Sequence, residues 1–439
     1  MSNILFIGDL RDANNYGAVA TTECLIRMVK DRCPDADYRY IACRSLYSPT
    51  PENGLRPCKP KKRHGLSKAR LTKMIGNMLP IAIKKPLRKM LGINEGQPDF
   101  VPYKFCQYEQ YYQLMMSGGG LQYERRLLEW ADVVYINGEG NIVNGTDKYG
   151  KYRMGARYIL FMAWVSKVKF GRPTCIVNHT VDPNNSNAFE MISNVYPLLD
   201  KVFVRESLSL PLLAQHGVRN AEFVPDALFS YKPGDAWQPS ESISRQIDFS
   251  RPYICLGDSS GIRNGFSSVK WDVAGVLGEI TDRLRTLVPQ IIFVDGYDGT
   301  NSEINTVIRK KCDGYVNISN CTYHDLYHVL GHAQAFISGR WHASILSIIA
   351  GTPVVLWGAD SHKTRSLYTL LDYPYRFFEV STLPVNIDEL TEEVGKVIKN
   401  TENIQKIMHQ KVSEFAELTC RNAAVLNEML SKVQNAEIV

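Results

Sequence analysis

Residues 337–363, ISGRWHASILSIIAGTPVVLWGADSHK, decide the fold. A short apolar strand over residues 334–338 ends at Ser338-Gly339, and Arg340 and His342 follow at once. An apolar run predicts a helix over 343–350, and a Gly-Thr-Pro break then gives a second strand over 353–357. Lys363 stands just before another helical stretch. Strands that are apolar without alternation belong to parallel sheets covered on both faces. In such sheets ligands sit beyond the carboxyl ends of the strands, which is where Arg340, His342 and Lys363 fall.

The same alternation extends through the chain. NILFIGD ends a first strand, a turn over Asn14, Asn15, Tyr16 and Gly17 follows, and residues 18–30 fit a helix. Further strands are DYRYIAC (37–43), ADVVYING within 131–141, RPTCIVNHT, KVFVRES and AEFVPDALF, with a helix over 153–169 between them. Residues 231–250 are polar, carry Pro and Gly, and read as a linker. A second series begins at PYICLGD (252–258), continues through a helix over 268–287 and QIIFVDG, and residues 387–433 read as helical. The fold class expected is α/β, two Rossmann-like domains facing a cleft, with a C-terminal helical segment. The boundaries expected are 1–230, the linker 231–250, 251–385 and 386–439.

Composition narrows the function classes. The chain has 439 residues, 44% hydrophobic and 22% charged, with a net charge of +6. That charge does not call for a nucleic acid partner. None of the 10 cysteines forms a CxxC pair, which speaks against zinc and redox motifs and leads us to expect no metal. The start MSNILFIGDL does not read as a signal peptide, and no run of about 18 apolar residues suggests a membrane span. The expected location is therefore cytoplasmic. Residues 57–92 depart from the rest, with eleven Lys or Arg, no Asp or Glu, and apolar residues interleaved at roughly helical spacing. Such a segment reads either as a solvated insertion loop or as a stretch that suits an anionic membrane surface, and the second reading places the chain peripherally at the inner face of the membrane.

The candidate residues cluster at strand ends. Free N–H groups at a helix start attract anions. Arg340 adds a planar fork for carboxylate or phosphate, His342 can exchange a proton near neutral pH, and Lys363 follows the adjacent strand. Arg205, in VFVRES, repeats the pattern in the first series; Ser207 or Ser209 is a candidate cap for the helix after it. Glu139 lies in a Gly-Glu-Gly-Asn loop whose glycines permit close backbone approach. Asp9 and Asn15 flank the first loop and are candidates for binding a polar acceptor or for bracing the turn, Asn141 is a further acceptor-side candidate, and Pro225-Asp226 reads as a structural turn. No Walker, HExxH or GxSxG motif occurs.

Taken in order, GDLRDANNYGAVATTECL, VVYINGEGN, VFVRESLSLPLLAQHG, VPDALF and ISGRWHASILSIIAGTPVV with Lys363 resemble the polysaccharide pyruvyl transferase family. The resemblance spans about residues 3–370. It implies a GT-B-like fold with the active site between the domains, acceptor on the first side and donor on the second. It also implies transfer of a pyruvyl group from phosphoenolpyruvate to a sugar or lipid-linked oligosaccharide, giving a pyruvate ketal, with phosphoenolpyruvate as donor substrate and no cofactor. His342, Arg205 and Lys363 take the family's acid and anion-binding positions; Arg340 and Glu139 come from the reading of the residues. The segment reads Arg-Trp-His, where the resemblance leads one to expect a smaller aliphatic residue in the middle. Two alternatives share the cleft: a glycosyltransferase with a nucleotide-sugar donor, and a non-catalytic carbohydrate-binding protein of the same fold.

Overall fold

The computed structural model describes residues 2–13, 15–42, 100–143, 154–183, 185–234, 236–263, 271–296 and 303–437. The basic segment 57–92 lies outside the described residues. The first sheet has six parallel strands in the order β2-β1-β3-β4-β5-β6. These are β1 Asn3–Ile7, β2 Asp37–Ile41, β3 Val133–Glu139, β4 Thr174–His179, β5 Lys201–Val204 and β6 Ala221–Phe223. The second sheet, β11-β10-β7-β8-β9, is also parallel. Its strands are β7 Tyr253–Ser259, β8 Gln290–Val294, β9 Gly314–Val316, β10 Phe336–Gly339 and β11 Val354–Leu356. Ile4 to Ile7, Val133 to Ile136 and Ile291 to Val294 are buried, as strands covered by helices on both faces must be.

The helix Trp341–Ile349 lies at the centre of this arrangement. Its residues Trp341 to Ile348 are all buried, because it packs between both domains, against the helices Tyr16–Arg32, Tyr323–Gly331 and Thr401–Thr419. A helix buried all round needs its hydroxyls satisfied from within. Ser344 donates to Arg340 O at 2.7 Å and Ser347 to Thr352 O at 3.1 Å. One apolar cluster runs from β1 through Tyr16–Arg32 and Trp341–Ile349 into the second sheet. The C-terminal helices do not stand apart. Ile387–Lys399 packs on the second domain, while Arg421–Glu437 crosses back to the first, where Tyr135 donates to Asn422 O at 2.7 Å.

Several elements differ from the sequence expectation. The motif helix starts at Trp341 rather than at residue 343, so Arg340 is its N-cap and His342 lies in its first turn. The helix expected over 153–169 is α-helical over Met154–Trp164 and closes as a wider π-turn at Val165–Lys169. The linker contains a short helix, Glu241–Ser244. No described helix is long and apolar enough to cross a membrane.

Candidate active site

The carboxyl ends of the two sheets face a cleft of about 540 Å³, lined by Asn15, Glu139, Asn141, Arg205, His342 and Lys363 among others. β5 delivers Arg205, whose backbone N–H donates to His179 O at 2.9 Å. Its guanidinium is buried, with Nε donating to Thr180 Oγ1 at 3.1 Å and Nη1 to Asp226 Oδ2 at 2.9 Å. From the opposite domain, His342 Nε2 comes within 3.1 Å of Arg205 Nη1 and 3.3 Å of Asp226 Oδ2. The neutral ring can accept from Arg205, and the protonated ring can donate to Asp226.

Gly17 makes this approach possible. A Cβ at that position would lie 2.1 Å from His342 Nδ1, so any larger residue would push the helix start off the ring. Asn15 caps the same helix, its Oδ1 accepting from Gly17 N at 2.8 Å and Ala18 N at 3.2 Å. The amide nitrogen is thus what Asn15 can offer a ligand.

Glu139 ends β3 with φ of 41°. A non-glycine residue there is strained, and such strain concentrates at functional sites. Its carboxylate lies 3.5 Å from Arg205 Nη1 and 3.8 Å from His342 Nε2. Burial alone would raise its pKa, but Arg205, His342, the Gly140 N–H and Lys363 outweigh burial and lower it. Glu139 is therefore a carboxylate at neutral pH. Asn141, also on the cleft wall, donates to Gly138 O at 2.9 Å and holds the loop closed.

The second domain supplies two more cations. Arg340 Nε donates to the Asp258 carboxylate at the end of β7. Lys363 opens the helix Lys363–Leu370, and its Nζ donates to Asp360 Oδ1 at 2.8 Å, where Ser260 also donates at 2.7 Å. Arg205, Arg340 and Lys363 each have a carboxylate partner that fixes the side chain, so the cleft presents oriented cations rather than mobile ones.

The structure refines the sequence reading at Asp226, Trp341, Asp9 and the Ser207 and Ser209 pair. Asp226 is more than a turn residue: it caps the 3-10 turn Ala227–Ser230 through Leu228 N at 2.9 Å and also joins the site. Its Oδ1 accepts from Thr21 Oγ1 at 2.7 Å, and its Oδ2 accepts from Arg205 and from Trp341 Nε1, the latter at 2.9 Å. Burial would raise its pKa, yet His342 and Arg205 hold it far below the carboxylate range. Trp341 accounts for the large residue in Arg-Trp-His: its indole N–H serves Asp226, and the Arg205 guanidinium lies 5.4 Å from its ring centroid. Asp9 is not on the cleft wall. Arg11 donates to both of its oxygens, at 2.9 and 2.7 Å, and its backbone N–H donates at 3.1 Å, so Asp9 braces the turn. Nor do Ser207 and Ser209 cap the helix Ser209–Gln215; the Glu206 carboxylate accepts the Ser209 N–H at 3.1 Å instead.

A family model described as polysaccharide pyruvyl transferase matches residues 15–361. The chain belongs to that family. The matched span holds every cleft residue named above except Lys363, which lies two positions beyond it. No curated protein matches the chain. Among solved structures, apo UGT2 of Phytolacca americana is 11% identical with a TM-score of 0.50, over 99% of this chain and 100% of its own. The spinosyn rhamnosyltransferase SpnG is 11% identical with a TM-score of 0.51, over 98% and 100%. TcCGT1 in complex with UDP is 10% identical with a TM-score of 0.51, over 99% of each chain. At these identities the likeness concerns the fold, which is that of GT-B glycosyltransferases with two parallel sheets facing a cleft. The pyruvyl transferase family member described here therefore uses that fold across its described residues.

Proposed function

We propose that this pyruvyl transferase family member transfers the pyruvyl group of phosphoenolpyruvate to two hydroxyls of one sugar in a surface polysaccharide or its lipid-linked precursor. The observation that carries the reading is the Arg205–Asp226–His342 contact across the domains, with Glu139, Arg340 and Lys363 on the same cleft. The donor has two anionic groups and an enol carbon. Arg205, Arg340 and Lys363 suit the phosphate and carboxylate. His342 delivers a proton to the methylene carbon, turning it into a methyl group and leaving the central carbon electrophilic. The first sugar hydroxyl adds there, its proton passing to Glu139 or back to His342. The carbon–oxygen bond to phosphate then breaks, and the second hydroxyl adds to the same carbon. Products are the ketal and inorganic phosphate, the last hydroxyl proton leaving with phosphate or to water. Asn15 and Asn141 suit the acceptor side. The basic segment 57–92 suits an anionic surface on which a lipid-linked acceptor is presented.

The test uses phosphoenolpyruvate labelled with ¹³C at the methylene carbon, in D₂O, with a panel of diol-bearing glycans. The expected product is a ketal methyl carrying one deuterium, with one phosphate released per methyl, both lost in His342→Ala. A protein that leaves phosphoenolpyruvate unconsumed and unbound but binds a nucleotide sugar saturably would overturn the reading.

A further inference from the structure

Beside the cleft, a second polar cluster joins the two domains. His362 directly precedes Lys363 at the start of the helix Lys363–Leu370. Its backbone N–H donates to Asp182 Oδ2 at 2.8 Å, and its Nδ1 lies 3.4 Å from the same oxygen. On the other side of the ring, Nε2 lies 3.1 Å from Glu206 Oε2 and 3.4 Å from Ser209 Oγ. Asp182, Glu206 and Ser209 come from the ends of β4 and β5, whereas His362 follows β11.

Serine, histidine and carboxylate in this order have the outline of a nucleophilic triad. Burial rules that role out. Ser209 is 0% exposed; its hydroxyl accepts the Val181 N–H at 2.8 Å and donates to Glu206. No substrate carbonyl can reach it. The cluster is instead connected mechanically. Asp182 N–H donates to Ile142 O at 3.0 Å, and Asp182 pairs with Val143 as an isolated bridge. Polar contacts thus run from the loop after Glu139, through Asp182, to His362 and so to Lys363. Ser207 and Ser366 add a hydroxyl contact at 3.4 Å. Burial disfavours the charged imidazole, but the Glu206 hydrogen bond and the charges of Glu206 and Asp182 raise its pKa against the opposing Lys363.

We infer that His362 is a positioning residue that clamps the start of the helix Lys363–Leu370 to the first domain through Asp182 and Glu206, holding Lys363 at the cleft. The inference rests on Lys363 being a donor-binding cation. Its test uses the full chain carrying His362→Ala or the nearly isosteric Asp182→Asn. Hydrogen exchange without substrate should show the amides of residues 361–366 exchanging about tenfold faster, with β1 and β3 unchanged. The KM for phosphoenolpyruvate should rise about tenfold in His362→Ala and less in Asp182→Asn, with kcat within about twofold. Asp182→Glu should recover most of the loss. A merely structural role would lower kcat and melting temperature without this split. Wild-type exchange at residues 361–366 in both variants, or a raised exchange with an unchanged KM, would overturn the clamp. Should the wild-type protein bind no phosphoenolpyruvate, the donor reading fails, while the exchange result still decides whether the clamp exists.

Discussion

At the scale of single residues, Asp226 is the point on which the site turns. Five groups meet its two oxygens: Thr21, Leu228 N, Arg205, Trp341 and His342. A buried carboxylate survives only with this degree of pairing. Replacing one oxygen by an amide removes the nearer of the two carboxylates facing Arg205 and His342 and leaves only Glu139, at 3.5 and 3.8 Å. Asp226→Asn should therefore lose at least about 2 kcal/mol of stability in urea unfolding and about 10²-fold in kcat for phosphate release from phosphoenolpyruvate. Thr21→Val, which removes the hydroxyl bond to the far oxygen and the Asn178 amide bond to that hydroxyl, should cost about 2 kcal/mol of stability and leave kcat within about twofold. Equal losses of kcat in both variants would mean that Asp226 acts as a structural cap alone. Nothing in VPDALF announces this role. The residues that define it stand at positions 21, 205, 226, 341 and 342, and only the tertiary fold brings them together. Arg205, His342 and Lys363 were legible because each occupies a strand end or helix start, where local sequence implies the environment.

At the scale of elements, the strand-helix alternation was readable because buried parallel strands are apolar without interruption. Helix starts were less so. Trp341 and His342 are compatible with either loop or helix, and the packing of Tyr16–Arg32 against them through Gly17 decides that the helix begins at Trp341. The short helices Tyr108–Met116, Gln122–Trp130 and Ser186–Val195 carry patterns too brief to stand out from the surrounding loops. His179, at the end of β4, shows what such packing does to chemistry. It is fully buried, its Nε2 lies 2.8 Å from Tyr196 OH, and burial together with the Arg205 charge pushes its pKa down to about 3 from 6.5. The folded chain keeps this ring neutral while the unfolded chain protonates it below pH 6.5. The unfolded state then binds more protons, so stability falls as pH drops from about 6.5 towards 3. At pH 5 the loss relative to pH 7.5 should be about 2 kcal/mol. Urea unfolding of His179→Gln at both pH values should show a decline smaller by that amount; an equal decline would assign the acid sensitivity to another group.

At the scale of the whole molecule, two sheets joined by one continuous apolar cluster favour a cleft that adjusts locally over domains that swing freely. The C-terminal helix Arg421–Glu437 reinforces this by crossing back to the first domain, where Lys432 pairs with Asp200 and Arg421 with Glu222. For the proposed reading, in which the acceptor is lipid-linked, access then depends on how the molecule is presented to its substrate. The charge distribution suggests the means: residues 57–92 carry eleven of the 51 Lys and Arg and none of the 45 Asp and Glu. Removing them changes the formal net charge from +6 to −5. Basic residues brought close to an anionic bilayer contribute about 1 kcal/mol each, and the attraction is screened beyond a Debye length. Deletion of 57–92 should therefore abolish co-sedimentation with vesicles containing phosphatidylserine at low salt. Binding to neutral vesicles should be weak for both proteins, and about 0.5 M salt should release the full-length chain. Because the cleft residues lie outside the segment, the deleted protein should keep its kcat on a water-soluble acceptor and lose rate only on acceptor embedded in anionic vesicles. Vesicle binding that survives the deletion would move the membrane contact elsewhere on the surface.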